Sequence, residues 1–299
     1  NPKNPIIGNR SFGETKENVA EKAVAYMRGL QSYGVFATAK HFPGHGDTST
    51  DSHHALPTVD FSRERIDEVE LYPYRELIKN GLSSVMVAHL NVPSIESREN
   101  YPSSLSEKVV TDILKNQLKF EGLIFTDALN MKGASNFKQP GDIDLAAFLA
   151  GNDVLLFAEN VPTAIEKFKQ AFKDKLFTEE RLAHSVKKIL KYKYKAGLNN
   201  YCPIEFENLY TDLNKKEYKA LNLEMYENAI TVLKNEEEII PIKNLDKEKI
   251  AFVKIGDGDG TFFIEKLKEY AEIDVITTKN LDSLLVKIKD YSKVIIGYH

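Results

Sequence analysis

The spacing of apolar residues divides the chain into alternating helices and strands. Val19, Ala23, Met27 and Leu30 recur at helical intervals and predict a helix over 14–33, stopped by Gly34. A short apolar run predicts a strand over 35–40. Ile66, Val69, Leu77 and Ile78 predict a second helix over 62–80, kinked at Pro73 and ended by Gly81. Residues 82–88 read as a buried strand. Ser104-x-x-Glu107 stands before Val109, Val110, Ile113 and Leu114 and reads as a capping box opening a helix. Residues 122–126 predict a third strand with Asp127 at its end. Residues 143–150 are helical, 153–157 form a fourth strand, and helices start near Pro162 and Thr178. A run of lysines before Gly197 suits the last helix's C-terminus.

Strands alternating with helices imply parallel βα units. The polar clusters fall just after the strands, which is the pattern of a (β/α)8 TIM-type barrel with its site on the C-terminal face. About four strands are visible on this pattern, so the barrel's N-terminal strands are expected upstream of this chain. Periodicity is lost over 199–214, which predicts a linker. Beyond it come a helix from Glu217 to about Lys234, a strand over 250–255, a helix over 262–270, a strand over 273–276, a helix and a last strand. That succession predicts the start of a doubly wound α/β/α second domain. The expected division is therefore barrel 1–198, linker 199–214 and second domain 215–299.

Composition adds exclusions. A formal net charge of -4 gives no electrostatic reason to expect nucleic acid or an anionic membrane as partner. No apolar run approaches the ~20 residues of a membrane span. A single cysteine, Cys202, excludes an internal disulfide but does not fix the compartment. The chain starts at Asn1 inside a loop-like NPKNP, so a targeting segment would lie upstream, and its absence here is no evidence for the cytoplasm; the compartment is unknown, with the periplasm or cell envelope slightly favoured over the cytoplasm.

The candidate chemistry concentrates in residues 40–53, KHFPGHGDTSTDSH, and four of the seven histidines fall between His41 and His54. A carboxylate at a strand end, Asp127, can act as a nucleophile; the alternative is a turn or N-cap aspartate. Asp51 and His53 can form a proton-handling pair, in which the carboxylate fixes the imidazole's tautomer. The alternatives are that His54 acts, or that both histidines are solvated loop residues. His41 and His45 have the spacing of a zinc-binding helix face, but Pro43 and Gly44 lie between them. There is no HExxH and no thiolate cluster, so neither metal nor cofactor is expected. Lys40, His41 and Arg10 can donate hydrogen bonds to a polar ligand; the plain alternatives are a core histidine and, for Arg10, a loop salt bridge. Met131 can press on a ligand face or fill the core. His89 can line a pocket or be a buried structural histidine. Pro43, Gly44 and Gly46 shape the loop. Gly256-Asp-Gly-Asp-Gly260 follows a strand and precedes a helix, but it is not GxGxxG and its aspartates oppose a pyrophosphate, so it reads as a tight turn.

Three stretches together resemble glycoside hydrolase family 3, in the branch that holds the NagZ-type β-N-acetylglucosaminidases. They are NPIIGNRSFG over 4–13, KHFPGHGDTSTDSH over 40–53 and FTDALNM over 125–131, in the family's order. The resemblance covers the first two-thirds of the chain closely and the rest loosely. It implies that Asp127 is the nucleophile and that His53, oriented by Asp51, is the general acid/base. It assigns Arg10, Lys40 and His41 to substrate binding, and places a further sugar-gripping aspartate upstream of Arg10. The function it implies is a retaining exo-β-N-acetylhexosaminidase acting on cell-wall-derived glycans or muropeptides, with a carbohydrate as its partner molecule. The rivals are a β-glucosidase-like or phosphorolytic enzyme with the same nucleophile, and an inactive carbohydrate-binding homologue.

Overall fold

The computed structural model describes residues 3, 4, 6–49, 56–278 and 280–298. The chain forms two compact units, Asn1–Pro203 and Ile204–His299. The first unit is built on a parallel sheet in which β1 (Thr38–Phe42), β2 (Ser84–Val87) and β3 (Leu123–Thr126) lie side by side in chain order. Thr38 pairs with Ser84 and Ser84 with Leu123, so the strands start level. Parallel strands joined by crossovers bring all their C-terminal ends to one rim.

Residues 153–157 join this sheet through one parallel bridge, Phe125 to Val154, rather than the full strand their pattern predicts. Asp153 and Val154 both donate to Ile124 O, Thr126 N donates to Val154 O and Leu129 N to Leu156 O, so the segment stays beside β3 as far as Leu156 with an irregular ladder, and Phe157 then turns to φ 51°.

α1 (Lys16–Ser32) is capped by Thr15 and buries Ala20 and Met27. The strand predicted at 35–40 runs instead from Thr38 to Phe42, because Val35 N still donates to Leu30 O in the closing turn of α1. The helix predicted over 62–80 is in three pieces: α2 (Arg63–Arg65), a wider π-type turn (Ile66–Glu70) and α3 (Tyr72–Lys79). The break precedes Pro73, which sits in the first turn of α3, where its missing N–H costs nothing. The predicted Ser104–Glu107 capping box does not form. Ser104 lies in a 3-10 turn (Ser103–Leu105), and Ser106 Oγ instead accepts from Val109 N at 3.4 Å to start the π-type helix Lys108–Gln117. α4 (Lys132–Ser135), α5 (Asp142–Ala150), α6 (Val161–Lys173) and α7 (Glu179–Lys195) follow, the last two capped by Asn160 and Thr178.

The core of the unit joins Val85, Val87 and Ile124 of the sheet to Leu71, Leu77, Val109, Val110, Ile113 and Leu114 of the helices. Phe42 is fully buried and meets Tyr74 edge-on with centroids 5.0 Å apart, a contact worth ~0.5–1.5 kcal/mol beyond its buried area. The base of the sheet is tied to α7 by a buried ion pair, Asp153 Oδ2 to Lys188 Nζ at 2.8 Å.

The second unit contains α8 (Leu209–Leu213), α9 (Lys216–Ala229), β4 (Ile250–Ile255), α10 (Thr261–Lys268), β5 (Ile273–Ile276), α11 (Leu281–Lys287) and β6 (Lys293–Tyr298). Its sheet is parallel with order β5-β4-β6. Ile250 and Phe252 pack on one face of β4 and Ala251 and Val253 on the other, which explains that strand's unbroken apolar run. α9 stops five residues short of the predicted Lys234, because Ile230 is already extended. The glycine-rich stretch after β4 is a turn: Gly256 takes φ 96°, and Asp259 Oδ1 accepts from Thr261 N at 3.0 Å.

Candidate active site

Asp127 is the first residue beyond β3 and is held there by the sheet. Its N–H donates to Val87 O at 2.8 Å, and the buried Thr126 before it accepts from Leu156 N at 2.9 Å. The carboxylate is only 17% exposed. Its Oδ1 accepts from Ala128 N at 2.8 Å, while Oδ2 lies 3.8 Å from His41 Nε2. The N-cap alternative does not describe this arrangement, since the next helix, α4, starts five residues later with Met131 in the cap position.

His41 is buried near the end of β1, which leaves the sheet through cis peptides at Lys40-His41 and Phe42-Pro43. Burial pushes its pKa down to about 4; Asp127 opposes the shift, and the charges of Lys40, His45 and Arg10 add to it. Burial therefore favours the neutral form of the ring. Its Nδ1 has no hydrogen-bond partner among the described residues. The His41 and His45 rings meet edge-on with centroids 5.8 Å apart, and among the described residues no group of three potential metal ligands occurs.

Parallel register thus brings Lys40, His41 and Asp127 to the same rim. Lys40 is exposed. Arg10, exposed in a 3-10 turn (Gly8–Arg10), donates to Ile6 O at 3.4 Å and is close enough to act electrostatically on His41. Met131 is half-buried in the turn leading into α4, where its N–H donates to Ala128 O at 3.0 Å. His53 and Asp51 lie outside the described residues, as does His54.

The loop leading to them is anchored by residues that the sequence reading did not single out. Asn4 is buried and donates to His45 O at 2.7 Å and Gly46 O at 3.2 Å, while its Oδ1 accepts from Ile6 N and Ile7 N. Asp47 accepts from Arg65 Nη2 at 3.1 Å, and Arg65 also grips Glu70. Asn4 is the first residue of the NPIIGNRSFG stretch, which was a signal; nothing local marks Arg65. His89, left open between pocket and structure, is 1% exposed. It bridges Ser104 Oγ at 2.7 Å and Ala128 O at 2.9 Å.

A largely buried carboxylate at the rim of a parallel α/β wall, beside a buried imidazole and exposed cations, has the make-up of an α/β enzyme site at its strand ends. Comparison with known proteins agrees with this class. Residues 1–192 match the glycosyl hydrolase family 3 N-terminal domain, and the chain belongs to glycoside hydrolase family 3. It is 30% identical over 292 residues to "Beta-hexosaminidase A" of Pseudoalteromonas piscicida, covering 91% of this chain and 48% of that protein. Among solved structures, a family 3 β-N-acetylglucosaminidase from Paenibacillus sp. str. FPU-7 is similar with a TM-score of 0.80 and 31% identity, over 100% of this chain and 60% of that one. "Beta-glucoside phosphorylase BglX" is similar with a TM-score of 0.84 and 26% identity, over 100% and 58%. The chain spans about half the length of the curated relatives it matches. Among the described residues no helix is long and apolar enough to cross a membrane.

Proposed function

We propose that the protein is a retaining exo-β-N-acetylhexosaminidase that removes terminal β-linked N-acetylglucosamine from cell-wall-derived glycans. The observation that carries this reading is the Asp127 carboxylate: it stands at a strand end, has one oxygen held by Ala128 N–H and turns the other toward the rim beside His41. The names of the family 3 relatives support the sugar. In this reading Asp127 attacks the anomeric carbon, and the aglycone oxygen leaves with the bonding electrons and takes a proton from His53. Water then attacks the anomeric carbon of the glycosyl ester, the Asp127 carboxylate leaves with the bonding electrons, and His53 takes the water's proton. Asp51 orients the His53 ring; Arg10, Lys40 and His41 donate to sugar hydroxyls, and Met131 presses on the ring. In this reading residues 1–198 supply the catalytic barrel portion, 199–214 the linker and 215–299 part of a second domain.

The test is hydrolysis of an aryl β-N-acetylglucosaminide by the whole protein. Asp127→Asn should abolish turnover with the fold intact, and a 2-fluoro-sugar inactivator should label Asp127. Labelling of another carboxylate would overturn the assignment. Release of N-acetylglucosamine from muropeptides tests the cell-wall substrate. The likeness to a β-glucoside phosphorylase favours one second reading, transfer of the glycosyl group to phosphate. Sugar 1-phosphate accumulating in phosphate buffer would establish it.

A further inference from the structure

We propose that His89 is a positioning residue for the nucleophile: through Ala128 it holds Asp127 Oδ1 in place and leaves Oδ2 as the attacking oxygen. The inference rests on the reading of Asp127 as nucleophile and adds the device that aims it.

The geometry is a chain of three hydrogen bonds. Ser104 Oγ lies 2.7 Å from His89 Nδ1, His89 Nε2 lies 2.9 Å from Ala128 O, and Ala128 N donates to Asp127 Oδ1 at 2.8 Å. A carbonyl oxygen can only accept, so His89 must carry its proton on Nε2. The neutral ring's Nδ1 then accepts from the Ser104 hydroxyl. Burial favours this neutral form and lowers the ring's pKa, against the opposing effects of the Ala128 carbonyl and Asp127. With both nitrogens engaged, a ring that is 1% exposed has one orientation.

Ala128 is the link. Its N–H meets the nucleophile and its C=O meets His89, so fixing the carbonyl restricts rotation of the residue whose N–H grips Oδ1. Ala128 O also accepts from Met131 N at 3.0 Å, so the turn after β3 closes on the same atom. The parts come from three places: His89 follows β2, Ser104 lies in the 3-10 turn beyond it, and Asp127 follows β3. Ser104 is itself held, since its carbonyl accepts from Asn152 Nδ2 at 2.8 Å.

The consequence is an asymmetric carboxylate. Oδ1 is occupied by a backbone donor, and Oδ2, facing His41 at 3.8 Å, is too far from it for a hydrogen bond and has no other hydrogen bond among the described residues. Attack through Oδ2 forms the bond to the anomeric carbon as the bond to the aglycone oxygen breaks. That oxygen leaves with the electron pair and receives the acid's proton.

The experiment compares His89→Leu, His89→Gln and Ser104→Ala with wild type in the whole protein. It reads kcat, KM and the rate of 2-fluoro-sugar labelling of Asp127, with circular dichroism to verify folding. His89→Leu should lower kcat and the labelling rate by about 10–100-fold, the scale of a small misplacement of a reacting group, with KM little changed. His89→Gln places an amide N–H where Nε2 was and should recover most of the rate. Ser104→Ala should show a smaller loss of the same kind. Wild-type kcat in His89→Leu, or His89→Gln no better than His89→Leu, overturns the inference. If His89→Leu does not fold, His89→Gln and Ser104→Ala decide: a near-wild-type rate for the first with a kcat loss in the second supports it, and any other pattern overturns it. An Asp127→Asn variant that still turns over would instead overturn the functional reading, and the inference with it.

Discussion

Removing the Lys188 charge should destabilise the first unit by about 3–5 kcal/mol without changing turnover per folded molecule. The Asp153 side chain is 0% exposed and that of Lys188 is 11% exposed, with 2.8 Å between Oδ2 and Nζ. At an effective dielectric constant of about 20, that separation corresponds to about 6 kcal/mol of gross attraction. Desolvating each ion costs several kcal/mol, so the intact pair contributes little net stability. Lys188→Met removes the attraction but leaves the carboxylate buried. Asp153 would keep Ser185 Oγ at 2.6 Å and Ile124 N at 3.1 Å, but it would lose its direct ion-pair partner and retain only the weaker influence of the Lys115 and Arg181 charges. Gly122 O would also lose its 3.0 Å bond from Lys188 Nζ. Urea unfolding followed by circular dichroism measures the loss, and the melting temperature should fall by about 6–20 °C. Lys188→Met combined with Asp153→Asn should be more stable than Lys188→Met alone, because no buried carboxylate is left without its direct ion-pair partner. A loss below about 1 kcal/mol in Lys188→Met, or strictly additive losses in the double variant, would refute the reasoning.

Three further outcomes are expected. His53→Ala should slow substrates with poor leaving groups far more than activated aryl substrates, with azide partly restoring the second step; equal effects and no rescue would make His53 a binding or structural residue. Glu96 is buried, and its hydrogen bonds from Arg98 hold its pKa down to about 2. A depressed carboxylate pKa stabilises the fold above the usual carboxylate range, and that contribution is lost as pH falls toward the folded value. Glu96→Gln should therefore cost about 1.5–3 kcal/mol at pH 7, with the difference from wild type narrowing toward pH 2 in urea titrations. Gly122→Ala would place its Cβ 2.4 Å from Ser83 O, a backbone atom that cannot step aside; thermal melts should show a loss of about 1–3 kcal/mol.

The alternation of strands and helices was legible in the sequence because apolar spacing is a local property, fixed by which face each element buries. It yielded parallel βα units, the second unit's strands and the placing of Asp127 at a strand end. Boundaries were less legible. Val35 is apolar, yet it belongs to the turn closing α1, and the wider turn Ile66–Glu70 replaces a helix whose break the proline alone suggested at Pro73. The resemblance marked Arg10, Lys40, His41 and Asp127 because their motifs are contiguous. What only tertiary structure decided is which groups share a hydrogen bond across tens of residues. Ser104 had the sequence of a cap, and His89 read equally as a pocket residue or a structural histidine. Their roles follow from parallel register, which sets residues 39 positions apart, His89 and Ala128, 2.9 Å from each other. No local pattern encodes that distance, because it depends on the packing of β2 against β3 and not on either segment alone.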